Sequence, residues 1–252
     1  LMSNNILTVQ DLHKSYGSVQ AVNGISFGVP DGILYAFLGP NGAGKSTTIH
    51  CICTLLKFDS GSIQLNGYSA GKDDGEIRKS IGVVFQEALL DGEQTVRENL
   101  AVRASMYGIM GSTFKNRLAE ITDSIEISEF MDRRYARLSG GQKRRADIAR
   151  GLIHSPRMLF LDEPTTGLDP QTRAKVWESI KKMQRETGVT VFLTTHYMAE
   201  AARANLVAVM DHGRLIAEDV PSNLRKQYST NKLRLYPKDV AARDSIIEAV
   251  TR

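Results

Sequence analysis

The apolar and polar positions of the chain fall into two regimes. Ile6–Leu12 and Val19–Val29 are rich in β-formers and flank the turn residues Gly17-Ser18, which predicts two strands. Ile33–Leu38 is apolar throughout, the pattern of a strand buried on both faces. A glycine-rich loop over Gly39–Lys45 follows, then a predicted helix over Lys45–Leu56, with further strands at Gly61–Asn66 and Ile81–Phe85. From Thr95 to Ile153 the spacing turns helical: Leu100, Ala104 and Tyr107 share one face, as do Leu118, Ile121 and Ile125. Strand spacing then resumes at Met158–Leu161 and Val189–Thr194, around a helix over Gln171–Glu186. A short helix over His196–Ala204 precedes Leu206–Met210 and Leu215–Glu218, which pair around Asp211-His212-Gly213. Leu233–Leu235 and Val240–Val250 suggest a last strand and helix. The order predicts an α/β core of mainly parallel sheet flanked by helices, an N-terminal antiparallel β subdomain and an inserted α-helical subdomain over about 95–153. The main domain is placed at 1–223 and a tail at 224–252, the start of an appended small domain.

Composition narrows the class. The 252 residues suffice for one large core without staples, and 42% apolar with 24% charged residues is the globular average. The net charge of +4 suits an anionic ligand and is too small to argue for nucleic acid. No apolar run reaches the roughly 18 residues that span a bilayer. Leu1–Ile6 has no basic segment leading into an apolar stretch, against a secretory signal, and Leu1 ahead of Met2 reads as a remnant. Cys51 and Cys53, two apart on a predicted helix, do not face each other, so neither a disulfide nor a metal site is expected of them. A reduced, cytoplasmic protein is the expectation.

Gly39-Pro40-Asn41-Gly42-Ala43-Gly44-Lys45-Ser46-Thr47 fits G-x-x-x-x-G-K-[ST] between a strand and a helix, a setting that a chance glycine-rich turn lacks. Glycines let backbone N–H groups wrap a phosphate, Lys45 reaches its outer oxygens, Ser46 offers a hydroxyl to Mg²⁺, and the helix start adds its dipole. Met158–Leu161 ends in Asp162-Glu163. Seen alone these are two solvated acids; beside a phosphate loop Asp162 is placed to hold Mg²⁺ and Glu163 to act as general base toward water.

Between the two lies Leu138-Ser139-Gly140-Gly141-Gln142, which resembles the signature of the ATP-binding cassette (ABC) ATPases. The resemblance runs over about Ile6–Asn223, and its motifs stand in the family's order. It implies ATP and Mg²⁺ as cofactors. It places Tyr16 on adenine, against a plain core tyrosine; Gln86 on Mg²⁺ and the attacking water; and His196 on the γ-phosphate. Asp169 falls in the loop that meets a second subunit, and also suits a helix N-cap before Pro170. Ser139, Gly140, Gly141 and Gln142 would face the nucleotide of the other subunit, so that a homodimer sandwiches two ATP molecules. The family further implies a separate membrane permease, docked around Ala88–Thr95, and a place on the inner face of the membrane. Thr194–Met198 and Glu163–Pro170 look most like the cassettes of multidrug, antibiotic and polysaccharide exporters.

Two other classes compete. Soluble cassettes in translation or DNA repair carry paired cassettes or long insertions, and a regulator without turnover would lack Glu163, His196 or Ser139. Lys143-Arg144-Arg145 is read as a solvated, partly buried helix face, and no nucleic-acid partner is expected. His50, Cys51 and Cys53 are read as packing residues. Gly151, inside a helix, is unfavourable by about 1 kcal/mol against alanine and suggests only close packing.

Overall fold

The computed structural model describes residues 5–87 and 89–228. The strand and helix expected over 233–250 lie outside the described residues. Two sheets carry the fold. β1 (Asn5–Tyr16) and β2 (Val19–Pro30) pair antiparallel, and β4 (Ser60–Leu65) and β5 (Tyr68–Ser69) complete a sheet of order β2-β1-β4-β5. The second sheet holds β3 (Leu34–Leu38), β6 (Ile81–Val84), β7 (Met158–Leu161), β8 (Thr190–Thr195), β9 (Leu206–Asp211) and β10 (Arg214–Asp219). Its order is β10-β9-β3-β8-β7-β6, parallel except where β10 returns antiparallel along β9.

Alternation explains why this sheet is apolar on both faces. Tyr35 and Phe37 of β3, Phe160 of β7 and Phe192 of β8 point to one side and pack with Phe27 of β2, ring centroids 5.2–6.1 Å apart across Phe27, Phe37, Phe160 and Phe192. Leu34, Ala36, Leu159, Leu161, Val191 and Leu193 point to the other, against the helices. Each fully buried aromatic contributes about 1.5–3 kcal/mol of burial.

α1 (Lys45–Ile52) and α2 (Asp74–Ser80) join the β-rich part. α3 (Val96–Ser105), α4 (Gly111–Ile125) and α5 (Gly140–Leu152) fill the predicted helical stretch. α6 (Pro170–Thr187), α7 (Met198–Ala201) and α8 (Pro221–Tyr228) follow. α6 buries Val176, Trp177, Ile180 and Met183, a 3.6-residue stripe. Its stop is Gly188 at φ 66°, the left-handed C′ position.

Several boundaries differ from the pattern. α1 ends at Ile52, not Leu56: Thr54 turns left-handed at φ 57°, and the N–H groups of Leu55 and Leu56 close back on the His50 carbonyl. The helix expected over His196–Ala204 shrinks to α7, because Tyr197 stays extended, its N–H donating to Thr195 Oγ1 at 3.0 Å. Tyr107 lies beyond the end of α3, its ring stacked on His154 at 4.1 Å. α2 and β5 have no counterpart in the pattern reading. Cys51 and Cys53 are free thiols filling the core.

Gly151 now has a physical reason. A Cβ on it would stand 2.9 Å from Leu159 Cδ1, and a Cβ on Gly82 of β6 would stand 2.1 Å from the Gly151 carbonyl oxygen. The two glycines let α5 lie directly on β6.

Candidate functional site

β3, paired on both sides, delivers the loop 39–44 at its C-terminal end, and α1 leaves from it. Gly44, at φ 101°, is the N-cap of α1 and has no side chain to offer the first N–H groups; no acidic residue occupies that first turn. The helix start therefore presents bare donors and a positive dipole end. The loop is held from behind: a Cβ on Gly44 would meet the Ala21 carbonyl at 2.1 Å, and one on Gly39 the Met210 carbonyl at 2.2 Å. The two-residue hairpin His212-Gly213, both at positive φ, completes the cradle. Gly213 N–H donates to Ala43 O at 3.0 Å, and its carbonyl accepts from Asn23 N–H at 2.8 Å.

Lys45 is buried at 5% exposure. Its ammonium donates to the carbonyls of Gly39 and Pro40, each at 2.9 Å, and lies 3.7 Å from Glu163 Oε1. Ser46 Oγ donates to Asp162 Oδ1 at 3.1 Å, so the hydroxyl and the first acid of the pair are neighbours. Thr194 Oγ1 donates to the same oxygen at 2.5 Å and accepts the Glu163 N–H at 2.9 Å. Glu163 sits at φ 46°, a left-handed conformation that costs a non-glycine residue about 1–3 kcal/mol. Thr166 Oγ1 donates to its Oε2 at 2.9 Å, and His196 Nδ1 lies 3.4 Å from its Oε1. The His196 ring rests on Tyr197 at 4.0 Å, and Arg173 covers the other ring at 4.1 Å.

One cleft of about 480 Å³ brings together Asn41, Gly42, Gly44, Lys45, Ser46, Thr47, Gln86, Glu163, Thr166 and His196, and Asp162 stands behind it on the Ser46 hydroxyl. The oxygens of Ser46, Gln86 and Asp162 are hard donors of the kind Mg²⁺ takes. A larger apolar cleft of about 810 Å³ shares His196 with it and is also lined by Gly39 and Pro40, but no carboxylate lines it. The carboxylate of Glu163 lines the smaller one.

The remaining expected site residues do not line the cleft. Tyr16 is half exposed at the end of β1, with Lys14 Nζ 5.7 Å above its ring, which excludes the core alternative. Ser139 caps α5: its side chain accepts the Gln142 N–H, while Gln142 Oε1 accepts the Ser139 N–H at 3.1 Å. Gly140 and Gly141 open that helix, and a Cβ on Gly141 would meet Thr172 Cγ2 at 2.4 Å. Asp169 caps α6 through the N–H groups of Gln171 and Thr172, and the Thr172 side chain together with these N–H groups holds its carboxyl below the ordinary range.

Sequence reasoning missed the hydroxyl framework. Thr165 and Thr195 both donate to the buried carboxylate of Glu200, tying the segment after β7 to the segment after β8. The only sequence signal was the pair Thr165-Thr166 and Thr194-Thr195, one at each strand end.

The sequence profile of the family described as ABC transporter matches residues 22–166. The daunorubicin/doxorubicin resistance ATP-binding protein DrrA of Streptomyces peucetius is 41% identical over 233 residues, 92% of this chain and 70% of that protein. The Nod factor export ATP-binding protein I of Rhizobium sp. (strain N33) is 40% identical over 228 residues, 90% of this chain and 75% of that one. Among solved structures, cbiO1 from Clostridium perfringens, part of the ABC transporter complex cbiONQ, superposes with a TM-score of 0.82 at 31% identity, covering 88% of this chain and 91% of its own. A dimeric post-hydrolysis state of the ATP-binding cassette MJ0796 bound to ADP and Pi gives 0.75 at 28% identity, covering 85% and 98%.

Proposed function

This chain belongs to the ABC transporter family as an ATP-binding, ATP-hydrolysing subunit, and from that premise we propose that it works as a head-to-tail pair driving export through a separate membrane permease. The observation that carries the proposal is the cleft that joins Lys45, Ser46, Gln86, Glu163 and His196 while leaving Ser139–Gln142 outside it. A chain whose second anion site faces elsewhere needs a second copy, and an isologous pair completes two sites at once.

In this reading the backbone of Gly39–Thr47 and the ammonium of Lys45 hold the phosphates of ATP, and Tyr16 stacks on its base. Ser46, Asp162 and Gln86 hold Mg²⁺, which supplies charge neutralisation at the phosphates when bound. The Glu163 carboxylate accepts the proton of the attacking water, and His196 and Lys45 stabilise the charge gathering on the γ-phosphate. Ser139, Gly140, Gly141, Gln142 and Asp169 serve the nucleotide of the other copy. The ATPase domain is placed at 1–223 with its helical insertion at 95–153; that boundary falls inside α8, and residues 229–252 lie outside the described residues.

No helix among the described residues is long and apolar enough to cross a membrane. A separate permease then ties the chain to the inner face of the membrane. The functions of the two relatives, drug resistance and Nod factor export, support an amphipathic substrate moved outward. A soluble cassette working in translation or repair is the competing reading.

The test is Glu163→Gln. Turnover should fall at least about 100-fold, the scale of general-base catalysis. Mg-ATP binding should persist, and the variant should run as a dimer in ATP by size-exclusion chromatography. Near-normal turnover would remove Glu163 from the role of base; a monomer in saturating ATP would remove the pair.

A further inference from the structure

Among the described residues β6 is the last strand of its sheet, and the carbonyls on its outer edge have no strand partner there. α5 and the turn after it answer that edge with side chains. His154 Nε2 donates to Ile81 O at 2.8 Å, Arg150 to Val83 O at 2.7 Å, and Arg144 to Phe85 O at 2.7 Å and Gln86 O at 3.2 Å. Burial, with Arg103, Arg117 and Arg150 nearby, pushes His154 down to about 4, so its imidazole is neutral and carries one N–H for this bond. Every second carbonyl of the edge is thus met by one cationic or imidazole donor, with Gly82 and Gly151 allowing the contact to be close.

The last of these contacts differs from the other two. Arg150 and His154 hold carbonyls inside or at the start of the strand. Arg144 holds the two carbonyls beyond its end, on the segment that carries Gln86 into the cleft. Its guanidinium is buried, 8% exposed, and forks across two successive peptide units. Arg144 also stands five residues after Ser139, in a helix whose first turn is locked by the Ser139–Gln142 capping box. At about 1.5 Å per residue, some 7.5 Å of rigid helix separates the Ser139 cap from the residue that grips Gln86.

We propose that Arg144 is a positioning residue for Gln86, carrying the placement of the Ser139 end of α5 to the glutamine of the chain's own cleft. The inference rests on the roles given above to Ser139 and Gln86. Ser139 serves the nucleotide held by the other copy and Gln86 the nucleotide held by this one. Arg144 therefore links the two sites of a pair: a shift of α5 on engaging the partner's nucleotide moves the backbone of Gln86 with it.

The experiment combines exchange and kinetics on the full chain, with Arg144→Met, Arg144→Lys, Arg150→Met, Gln86→Ala and the Arg144→Met/Gln86→Ala double variant. Hydrogen–deuterium exchange of the peptide spanning Phe85–Gly92, without nucleotide, should speed at least about tenfold in Arg144→Met, a ratio equal to about 1.4 kcal/mol of lost protection. Arg150→Met, which frees the same kind of edge carbonyl away from Gln86, should leave that peptide near its original rate. Turnover should fall about tenfold in Arg144→Met and less in Arg144→Lys, which keeps one charged donor; the lysine variant also carries the test if the methionine variant melts early. In the Gln86→Ala background, Arg144→Met should lower turnover by less than about twofold, since its effect runs through the missing side chain. Full multiplicative losses in the double variant, or unchanged exchange at Phe85–Gly92, would overturn the proposal. Unchanged turnover in Gln86→Ala would instead overturn the role of Gln86, and the positioning role with it.

Discussion

Replacing Gly82 by alanine tests how closely α5 must lie on β6. The added Cβ would stand 2.1 Å from the carbonyl oxygen of Gly151 and 2.9 Å from its carbonyl carbon. Both are backbone atoms of a helix and cannot swing aside, so α5 must lift by about 1 Å to restore ordinary contact. Lifting it lengthens the Arg150–Val83 and Arg144–Phe85 hydrogen bonds, both 2.7 Å, which leaves buried donors and acceptors short of their partners. Overpacking costs about 1–3 kcal/mol, and each weakened bond to a charged donor about 1.5–3 kcal/mol. A loss of at least about 3 kcal/mol follows, a fall in Tm of roughly 6–12 °C for a chain of this size. Gly151→Ala is the matched control. Its Cβ meets Leu159 Cδ1 at 2.9 Å and Val84 Cγ2 at 3.2 Å, the far ends of side chains. Alanine also returns about 1 kcal/mol of helix propensity, so the net cost is about 0–2 kcal/mol by the same overpacking scale. Thermal unfolding followed by circular dichroism measures both. Gly151→Ala melting as low as Gly82→Ala, or Gly82→Ala melting within about 2 °C of the parent, would refute the reasoning.

Two further variants probe the site and its support. Tyr16→Ala removes a half-exposed ring. ATP should bind about tenfold more weakly, within the roughly 1–3 kcal/mol of a base–aromatic stack, while inorganic triphosphate binds as before and Tm stays put; titration calorimetry with both ligands decides, and equal losses for the two would take Tyr16 off the base. Asp147, at 5% exposure, accepts from Tyr135 Oη at 3.1 Å on each oxygen. Burial pushes its carboxyl up from 3.8 to about 6, against the lowering influence of the Tyr135 bond and of Arg144, Arg150 and Lys143. A folded value above the unfolded one means that the fold holds the proton more tightly, so stability falls as pH rises from about 4 to 6 and is level above. The Tm difference between Asp147→Asn and the parent should therefore favour the variant more at pH 8 than at pH 5, and a difference independent of pH would show that the neighbouring arginines fully offset the burial.

What the sequence made legible is what local backbone geometry demands. The loop over Gly39–Lys45 needs glycines at φ 81° and 101°, and Ser139 and Asp169 cap their helices with the side chains that such positions prefer. The strand ends carrying Asp162-Glu163 and His196 are fixed by apolar runs of strand length. Helix stops that use no glycine escaped notice. Thr54 and Glu126 both turn left-handed at φ 57° and 58°, held there by contacts the sequence pattern does not contain. Charge runs were equally opaque, because a helix separates adjacent residues by about 100°. Lys143 lies over Tyr135 and Arg145 over Phe130, as a packed outer face would have it, while Arg144 between them turns inward to Phe85 and Gln86, some sixty positions back along the chain.

Gly151 shows how such long-range contacts leave a trace. A glycine inside a helix opposes its own local preference by about 1 kcal/mol, and so marks a place where tertiary packing overrides propensity. The override here is the seating of α5 on β6, and the same seating lets Arg150, His154 and Arg144 reach the strand edge. The glycine and the inward-turned arginine are one feature. The glycine sets the distance between helix and strand, and that distance makes a two-carbonyl grip by Arg144 possible. If α5 stood further out, the edge carbonyls of β6 would turn to water, and the segment bearing Gln86 would lose this grip and keep its inner ties, Asp162 N–H to Val84 O at 2.9 Å and the edge contact of Phe85 with His50.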